Sequence, residues 1–519
     1  MTSLAPRPPY TDDELKALYP AGLRLQLVQV LLRHGERTPV SARFQNAGLP
    51  AFWPYCNAVR QLKSAVLDPG AGRFSTFEWK RRLETFGPAD EPVLAAGPRG
   101  ELDDICEMGM LTDRGRETTF ELGVRLRALY VNRLRFLPRL LTEADADALY
   151  LRATPIPRAL ESVQEVFTGL YPVEARAPTS HVPAIVTRAP GDETLFPNDS
   201  NCRRFAALSR AFAQRAADRW NGTDEMAYLT KLWGKWMPEE SPRVAVDSRP
   251  RLSGIMDTIN STLAHGPGTR LPSEFYDPKA REIVDKIGVE EWFAGYKESR
   301  EYRTLGIGGL LGDIVGRMVG SAEHGAPKGA EGVTPVRFGL SGCHDTTLAA
   351  ILASLGAYEN REWPPYTSHI AIEMFRKADA AASQPATLPP QGKTATPPTG
   401  SNNGNASWFG SLFSWASPSG GAKSGSQASG IGRKRSEELS PEERAKIENY
   451  YVRIRYNDEV VTVPGCKAAG KHLEGDESFC TLDAFKAVVD RFVPRNWRQE
   501  CRANARAPAF PAEPEPAGY

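Results

Sequence analysis

The sequence LRLQLVQVLLRHGERTP, residues 23–39, joins an apolar segment directly to a charged loop. Its first part, residues 23–32, is rich in leucine and valine and predicts a buried strand. The loop that follows contains Arg33, His34 and Arg37. In open α/β sheets, ligands bind beyond the carboxyl ends of the strands. The sequence therefore predicts a binding site at the end of this strand.

The residue types in this loop suit phosphate chemistry. A neutral imidazole at His34 is a competent nucleophile. The guanidinium groups of Arg33 and Arg37 can bind phosphate oxygens and offset the negative charge that repels a nucleophile. Gly35 would let a ligand approach the backbone closely. Because a histidine between two arginines is also common on solvated surfaces, the loop alone leaves both interpretations open.

Two further short strands are predicted to end in similar residues. The first covers residues 148–152 and closes with Arg152, and the second covers residues 336–342 and is followed by His344 and Asp345. Solvated charge does not explain why three separate strands each end in phosphate-compatible residues. We therefore expect these residues to meet at one phosphate site.

Strands alternate with helical patterns along most of the chain. Helices are predicted over residues 112–130, 202–220 and 346–355. This order predicts an α/β fold with a mostly parallel central sheet flanked by helices. The expected organisation is a core formed by residues 21–171 and 321–501, with a mainly helical cap inserted at 172–320.

One segment has a different composition from the rest. Residues 380–430 are almost entirely small or polar, so a disordered, low-complexity insert is predicted over 378–445. Predicted strands at 370–376 and 450–456 flank it, which places the insert at the tip of a hairpin. Its aromatic stretch WFGSLFSW, residues 408–415, could contact a membrane surface or a partner, or be a remnant without function. Residues 502–519 are expected to be a flexible tail.

Composition excludes several classes of protein. The 519 residues contain 64 Lys and Arg and 63 Asp and Glu, a balance that argues against binding nucleic acid by bulk charge. No signal peptide or membrane span is recognisable. We therefore expect an intracellular, cytoplasmic protein, or alternatively a mitochondrial one, whose seven cysteines are reduced. The histidines and cysteines show no metal-ligand spacing, so no metal or other cofactor is predicted.

The charged loop is similar to the signature of a known family. Residues 33–39 match the R-H-G-x-R-x-P motif of the histidine acid phosphatases, a branch of the histidine phosphatase superfamily. His344-Asp345 matches the family's H-D pair. Arg152-Ala153-Thr154 resembles its R-S-T motif with alanine in place of serine, and Arg158 stands where a second family arginine follows. The resemblance covers roughly residues 24–377 and 447–501.

The resemblance implies a phosphoglycerate mutase-like core and a two-step phosphatase reaction. His34 would form a phosphohistidine, with the phosphate held by Arg33, Arg37, Arg152 and His344. Asp345 would protonate the leaving alcohol, which favours acidic pH, and no metal would be needed. Cys466, Cys480 and Cys501 stand where family members can carry disulfides, but we expect free thiols in a reducing compartment.

The substrate is less narrowly defined than the reaction. Residues 110–112, 152–162 and 193–198 resemble a subgroup that acts on lysophosphatidic acid, so a small and lipid-like phosphomonoester is expected. The alternatives are a phytase-like inositol phosphate phosphatase, a mutase-like phosphotransferase and a catalytically inactive phosphoester-binding module.

Overall fold

The computed structural model describes residues 2–58, 62–70, 72–178, 183–323, 336–359, 362–378 and 430–519. Within these ranges the strands are β1 (Leu23–Arg33), β2 (Leu62–Asp68), β3 (Arg73–Trp79), β4 (Glu84–Phe86), β5 (Pro92–Leu94), β6 (Leu149–Ala153), β7 (Ile185–Val186), β8 (Phe338–Cys343), β9 (His369–Lys377), β10 (Tyr450–Tyr456), β11 (Glu459–Val461), β12 (His472–Leu473) and β13 (Asp476–Thr481). The helices are α1 (Asp12–Leu18), α2 (Asp113–Leu126), α3 (Pro157–Leu170), α4 (Arg203–Trp220), α5 (Asp224–Trp233), α6 (Leu252–Leu263), α7 (Pro278–Glu298), α8 (Arg300–Arg303), α9 (Gly309–Glu323), α10 (Asp345–Ser354), α11 (Pro441–Ala445), α12 (Leu482–Asp490) and α13 (Trp497–Glu500).

The central sheet has the strand order β12-β13-β10-β9-β1-β8-β6-β7, and β11 pairs with β10. The pairs β1–β8, β8–β6 and β6–β7 are parallel, and β9 joins β1 in the opposite direction. This confirms the predicted α/β fold. In the parallel part, Arg33 lies opposite Cys343 and Ala153 lies opposite Gly342. The carboxyl ends of β1, β8 and β6 are therefore level with one another at one edge of the sheet.

Both faces of the sheet are covered, as expected for buried parallel strands. Val28, Val30 and Leu32 of β1 pack with residues of α2 and α3 on one face. Leu27 and Leu31 point to the other face and share a core with α9 and α10. Because the strand alternates between two apolar layers, its sequence is a nearly continuous apolar run.

The region predicted as a cap is mainly helical. It contains α4 to α8 and the first part of α9, together with the short strand β7. The helices α4, α5, α6 and α7 enclose an apolar cluster of their own with the loop that contains Phe44 and Trp53. The division of the chain at residues 172 and 320 stays a prediction, since α9 crosses residue 320 and packs against the sheet core.

The strands around the low-complexity insert form the predicted hairpin. β9 and β10 pair antiparallel, with Tyr450 opposite Arg376 and Tyr456 opposite Ile370. Residues 379–429, including the aromatic stretch 408–415, lie outside the described residues. The prediction of disorder as far as residue 445 is wrong, because residues 430–445 are folded and Ile431 and Leu439 are buried.

The C-terminal segment differs from the predicted flexible tail. Residues 502–519 pack against the helices, since the guanidinium of Arg204 donates to the carbonyls of Ala507 and Pro508 at 2.9 and 2.7 Å. Phe510 lies against Phe212 with ring centroids 5.0 Å apart. These contacts are made to residues far away in the sequence, and its Pro-rich composition does not reveal them.

Six of the cysteines form disulfides, which contradicts the predicted reduced thiols. The bonds are Cys56–Cys106, Cys202–Cys501 and Cys466–Cys480, and Cys343 is free and buried. Disulfides are typical of oxidising compartments, so they weigh against the cytoplasmic location, which stays a prediction. None of the helices in the described ranges is both long and apolar enough to cross a bilayer.

Candidate active site

The predicted site residues that follow β1 and β8 meet where the carboxyl ends of these strands lie side by side. The rings of His34 and His344 lie 5.5 Å apart between centroids, and both side chains are buried. Thr154, directly after β6, reaches His344 with its hydroxyl 3.2 Å from Nε2. The strand register thus brings residues more than 300 positions apart into one cluster.

His34 is held as a neutral imidazole with one nitrogen available. Its Nδ1 donates to the Gly35 carbonyl at 2.9 Å, and a carbonyl can only accept. The lone pair is therefore on Nε2. Burial, together with Arg158, Arg33 and Arg37, lowers the pKa of His34 well below its ordinary value. The side chain stays unprotonated in weakly acidic solution, which a nucleophile requires.

Gly35 is required by helix packing. A Cβ built on it would lie 2.2 Å from the carbonyl oxygen of Gly115 in α2. The Thr112 hydroxyl at the start of α2 donates to the Glu36 carbonyl at 3.1 Å, and Ser162 of α3 accepts from the Gly35 amide at 3.1 Å. The loop after β1 is thus fixed against two helices, which is a reason for the glycine that the sequence did not reveal, while the approach of a ligand stays a prediction.

Arg33 and Arg37 lie on either side of His34, each with a carboxylate partner. Arg33 contacts Asp345 Oδ2 through Nη2 at 2.8 Å, and Arg37 contacts Asp257 of α6 at 2.7 Å. The Arg33 guanidinium stacks 4.1 Å above the Tyr366 ring. Both arginines are almost completely buried, so they are held in place before any ligand binds.

Arg152 is not brought to this cluster. Its guanidinium is completely enclosed and donates to Glu193 at 2.5 Å and to Thr194 at 3.0 Å. The predicted phosphate-binding position is wrong because side chains alternate along β6: Leu151 and Ala153 face α2 and α3, and Arg152 faces the opposite layer. Asp313 of that layer lies 3.7 Å from it.

Arg158, unlike Arg152, lies beside the two histidines. It is the second residue of α3, and burial together with Arg37 lowers its pKa to about 10. Among the charged groups it lowers the pKa values of His34 and His344 more than any other. The sequence contained a signal for it, since Arg158 stands where the family's second arginine follows.

Asp345 begins α10 and is hydrogen-bonded through both carboxylate oxygens. Oδ1 accepts from the Thr346 amide at 2.8 Å, and Oδ2 accepts from the Trp363 indole at 3.0 Å. Burial raises the pKa of Asp345, but Arg33 and Trp363 outweigh it and lower the pKa below the ordinary value. For His344, burial and Arg158 lower the pKa to about 3. Without a ligand, the cluster contains an ionised carboxylate and neutral imidazoles among cationic arginines.

The comparisons with known proteins identify the family. Residues 24–387 match the model of the histidine phosphatase superfamily (branch 2). The chain belongs to this superfamily. It is 35% identical to a Schizosaccharomyces pombe protein named "Probable acid phosphatase", over 93% of this chain and 95% of the relative. It is 23% identical to human lysophosphatidic acid phosphatase type 6, over 69% of this chain and 75% of that protein. The solved structure of Hafnia alvei phytase aligns with a TM-score of 0.48 and 14% identity, over 93% of this chain and 99% of that one.

A cleft of about 1140 Å³ has Arg33 of the charged cluster in its lining in this histidine phosphatase. It lies between α4, α6, α7 and the segment that contains Trp363. Its apolar lining includes Met256, Ile259, Val284 and Val289. The cleft also contains both acidic and basic residues, and the acidic ones are Glu282, Asp285, Glu290, Glu298 and Glu362.

The alanine that replaces the family serine belongs to the core of this histidine phosphatase. Ala153 is completely buried in the apolar cluster between the sheet, α2 and α3. Across the described ranges, no group of three or more histidine, cysteine or acidic residues could hold a metal ion. The expectation that the reaction needs no metal stays a prediction.

Proposed function

We propose that this protein is an acid phosphatase that hydrolyses phosphate monoesters through a phosphohistidine at His34. The observation that carries the proposal is the free Nε2 of a neutral His34, held among Arg33, Arg37 and Arg158 and close to Asp345. A dianionic phosphate fits a site with three guanidinium groups better than an apolar or cationic ligand does.

The first step forms a bond between Nε2 of His34 and phosphorus while the bond from phosphorus to the ester oxygen breaks. The arginines and His344 stabilise the charge on the non-bridging oxygens. Asp345 gives its proton to the departing alkoxide. In the second step, water attacks phosphorus, its proton returns to Asp345, and the bond to His34 breaks to release phosphate.

The role of Asp345 favours acidic pH. In the free protein the pKa of Asp345 is below its ordinary value, although burial opposes the shift, because Arg33 and Trp363 stabilise the carboxylate. A bound phosphate dianion draws on the charge of Arg33 and adds negative charge nearby, which favours protonation of Asp345. The proton is therefore available in acid and becomes scarce as the pH rises.

The substrate we propose is a lysophosphatidic acid or a similar monoester with an apolar leaving group. The name of the human relative and the apolar part of the cleft support this choice. The five carboxylates of the cleft are balanced by Arg215, Arg219, Arg281, Lys286 and Lys297, so the choice between lipid and inositol phosphate rests on the apolar lining and on the substrate panel below. Contact of residues 408–415 with a membrane stays a separate proposal, which deletion of residues 380–430 and liposome flotation would test.

The proposed reaction is tested with His34→Ala, measured on 4-nitrophenyl phosphate. We expect turnover and the alkali-stable phosphoenzyme both to disappear, because the only proposed nucleophile is gone. His472→Ala is the matched control, since His472 lies in β12, outside the charged cluster, and its ring Nδ1 lies 2.9 Å from the Cys466 carbonyl. Near-normal turnover in His34→Ala, with normal folding, would contradict the proposal and favour an inactive binding module.

A substrate panel tests the leaving group. Lysophosphatidic acid, phytate, phosphoglycerate and an aryl phosphate would be compared at pH 5 and pH 7. We expect the highest kcat/KM among the natural esters for lysophosphatidic acid, at the lower pH. A preference for phytate would contradict the proposed substrate class and leave the phosphohistidine mechanism intact.

A further inference from the structure

The general acid Asp345 is held by a segment from another part of the fold. Residues 362–366 lie between α10 and β9, and the indole Nε1 of Trp363 donates to Asp345 Oδ2 at 3.0 Å. Arg33 contacts the same oxygen at 2.8 Å. The other oxygen accepts from the Thr346 amide. When a phosphate engages Arg33, Trp363 remains as the side-chain donor that orients Oδ2.

The same segment also holds the phosphate-binding side of the site. Arg33 Nη1 donates to the Pro364 carbonyl at 2.6 Å, and the Arg33 guanidinium stacks on Tyr366. The Tyr366 hydroxyl lies 3.2 Å from Ser261 in α6. The segment therefore sets the position of Arg33 relative to Asp345, which determines whether the acid points at the leaving oxygen of a bound phosphate.

Helix α7 anchors this segment. Both carboxylate oxygens of Asp285 accept from the Trp363 amide, at 3.0 and 3.3 Å. The Trp363 ring packs on Phe293 of the same helix, with centroids 4.9 Å apart. The indole is thus fixed at its backbone and at its ring, so its N–H has little freedom to turn away from Asp345.

We propose that Trp363 is a positioning residue for the general acid, and that Asp285 acts through it. This inference rests on the proposed phosphatase reaction. An indole N–H can only donate, so it fixes the direction of the Asp345 carboxyl and leaves one lone pair of Oδ2 to carry the proton. When a general acid is misaligned by a fraction of an ångström, the rate falls most for substrates whose leaving group must receive a proton.

Removal of the Trp363 indole should also change the pH dependence of activity, and the groups that face Asp345 determine the direction of this change. They are Arg33 and Arg37 from the loop after β1, Arg158 from α3, His344 from its own element and the Trp363 indole. Burial raises the pKa of Asp345, while Arg33 and Trp363 lower it. Removal of the indole donor is therefore expected to move the alkaline limb of activity to higher pH.

The test is Trp363→Phe, measured with an alkyl phosphate and with 4-nitrophenyl phosphate on the acid plateau. We expect kcat for the alkyl ester to fall about tenfold with little change in KM, and kcat for the aryl ester to stay within about threefold, because only the alkoxide needs the proton. The matched control is Trp292→Phe, since Trp292 packs edge-on against Trp363 and is 43% exposed. Equal losses for both esters, with an unchanged pH profile, would overturn the proposal.

A double-mutant cycle makes the test independent of folding losses. In the Asp345→Asn background, Trp363→Phe should have no further effect on the ratio of alkyl to aryl rates. Asp285→Ala should reproduce part of the selectivity loss, and Asp285→Asn, which keeps an acceptor oxygen, should restore it. Additive effects in the cycle would overturn the positioning role. If Asp345→Asn itself shows no leaving-group selectivity, the proposed reaction fails, and that result is distinct from a failure of Trp363 alone.

Discussion

Two arginine side chains near the proposed phosphate site point in different directions. Arg152 and Arg158 are only six positions apart, but Arg152 points into a buried ion pair with Glu193 and Arg158 points to the histidines. Successive side chains of a strand point to opposite faces, so Arg152 faces away from α2 and α3, whereas Arg158 lies in the first turn of α3, beyond the end of β6. Removal of Arg158 is therefore expected to affect phosphate binding, and removal of Arg152 is expected to affect stability.

Arg158→Ala should weaken competitive inhibition by inorganic phosphate by about tenfold to a hundredfold, because it removes one charge-assisted contact of roughly 1.5–3 kcal/mol. Its melting temperature should stay close to that of the wild type. Arg152→Ala should instead leave Glu193 buried without its partner and lower the free energy of unfolding by about 3–5 kcal/mol. Inhibition constants and thermal melts of both variants check this. The opposite assignment of the two effects would restore Arg152 to the phosphate site.

The β9–β10 hairpin carries a buried charge network. Glu373 on β9 lies opposite Arg453 on β10, and its Oε2 accepts from Arg453 at 2.7 Å. Arg455, Tyr19 and Tyr130 donate to Oε1 of the same carboxylate. Arg453 also donates to the Leu18 carbonyl, so the network fastens the end of α1 to the sheet. The hairpin thus supports both the central strand and the N-terminal segment.

This network predicts a defined acid sensitivity. Burial raises the pKa of Glu373, but Arg455 and Arg453 outweigh it and lower the pKa from 4.5 to about 2. The folded-state pKa is depressed, so the stabilisation is complete above pH 4.5 and is lost as the pH falls toward 2. The difference amounts to ~3 kcal/mol of unfolding free energy.

Glu373→Gln should therefore be destabilised at neutral pH by several kcal/mol and should show a flatter stability profile than the wild type between pH 4.5 and 2. Urea unfolding at a series of pH values measures both effects. Glu477→Gln, at an exposed position of β13, is the control and should follow the wild-type profile. If the free energy of unfolding of Glu373→Gln falls with pH as steeply as that of the wild type, Glu373 does not contribute the acid sensitivity.

The whole molecule is joined by covalent links between distant segments. Cys202 at the start of α4 is bonded to Cys501 after α13, 299 residues later in the chain. Two shorter links join Cys56 to Cys106 and Cys466 to Cys480. The Cys202–Cys501 bond, together with the contacts of Arg204, fastens the C-terminal segment to the helical layer.

Thiol labelling checks this arrangement directly. Under denaturing conditions without a reductant, one of the seven cysteines should react with an alkylating agent, and that residue should be Cys343. In the folded protein Cys343 should be protected because it is buried. Prior reduction is the control and should expose all seven thiols. Labelling of seven thiols without reduction would contradict the disulfides and favour the reduced protein predicted from the sequence.

Much of the fold and the centre of the site could be predicted from local patterns. The apolar run 23–32, the loop 33–39 and the hairpin flanks 370–376 and 450–456 have local signals, namely periodicity, charge and composition. The predictions for residues 430–445, 502–519 and the cysteines were wrong for a shared reason. Each depends on contacts with residues far away in the chain, such as α12, Arg204 or a second cysteine, and composition carries no information about such contacts.

The sequence by itself determined the family and the α/β architecture and predicted His34 and Asp345 as site residues, because the seven-residue signature, the H-D pair and strand periodicity are local properties. Only the tertiary structure decided that Arg158 and not Arg152 joins them, since that depends on the face to which a strand residue points. The tertiary structure also decided that Trp363, on a separate segment fastened to α7, donates a hydrogen bond to Asp345. The physical reason is that a hydrogen bond or ion pair needs two partners at about 3 Å, and folding alone brings those partners together.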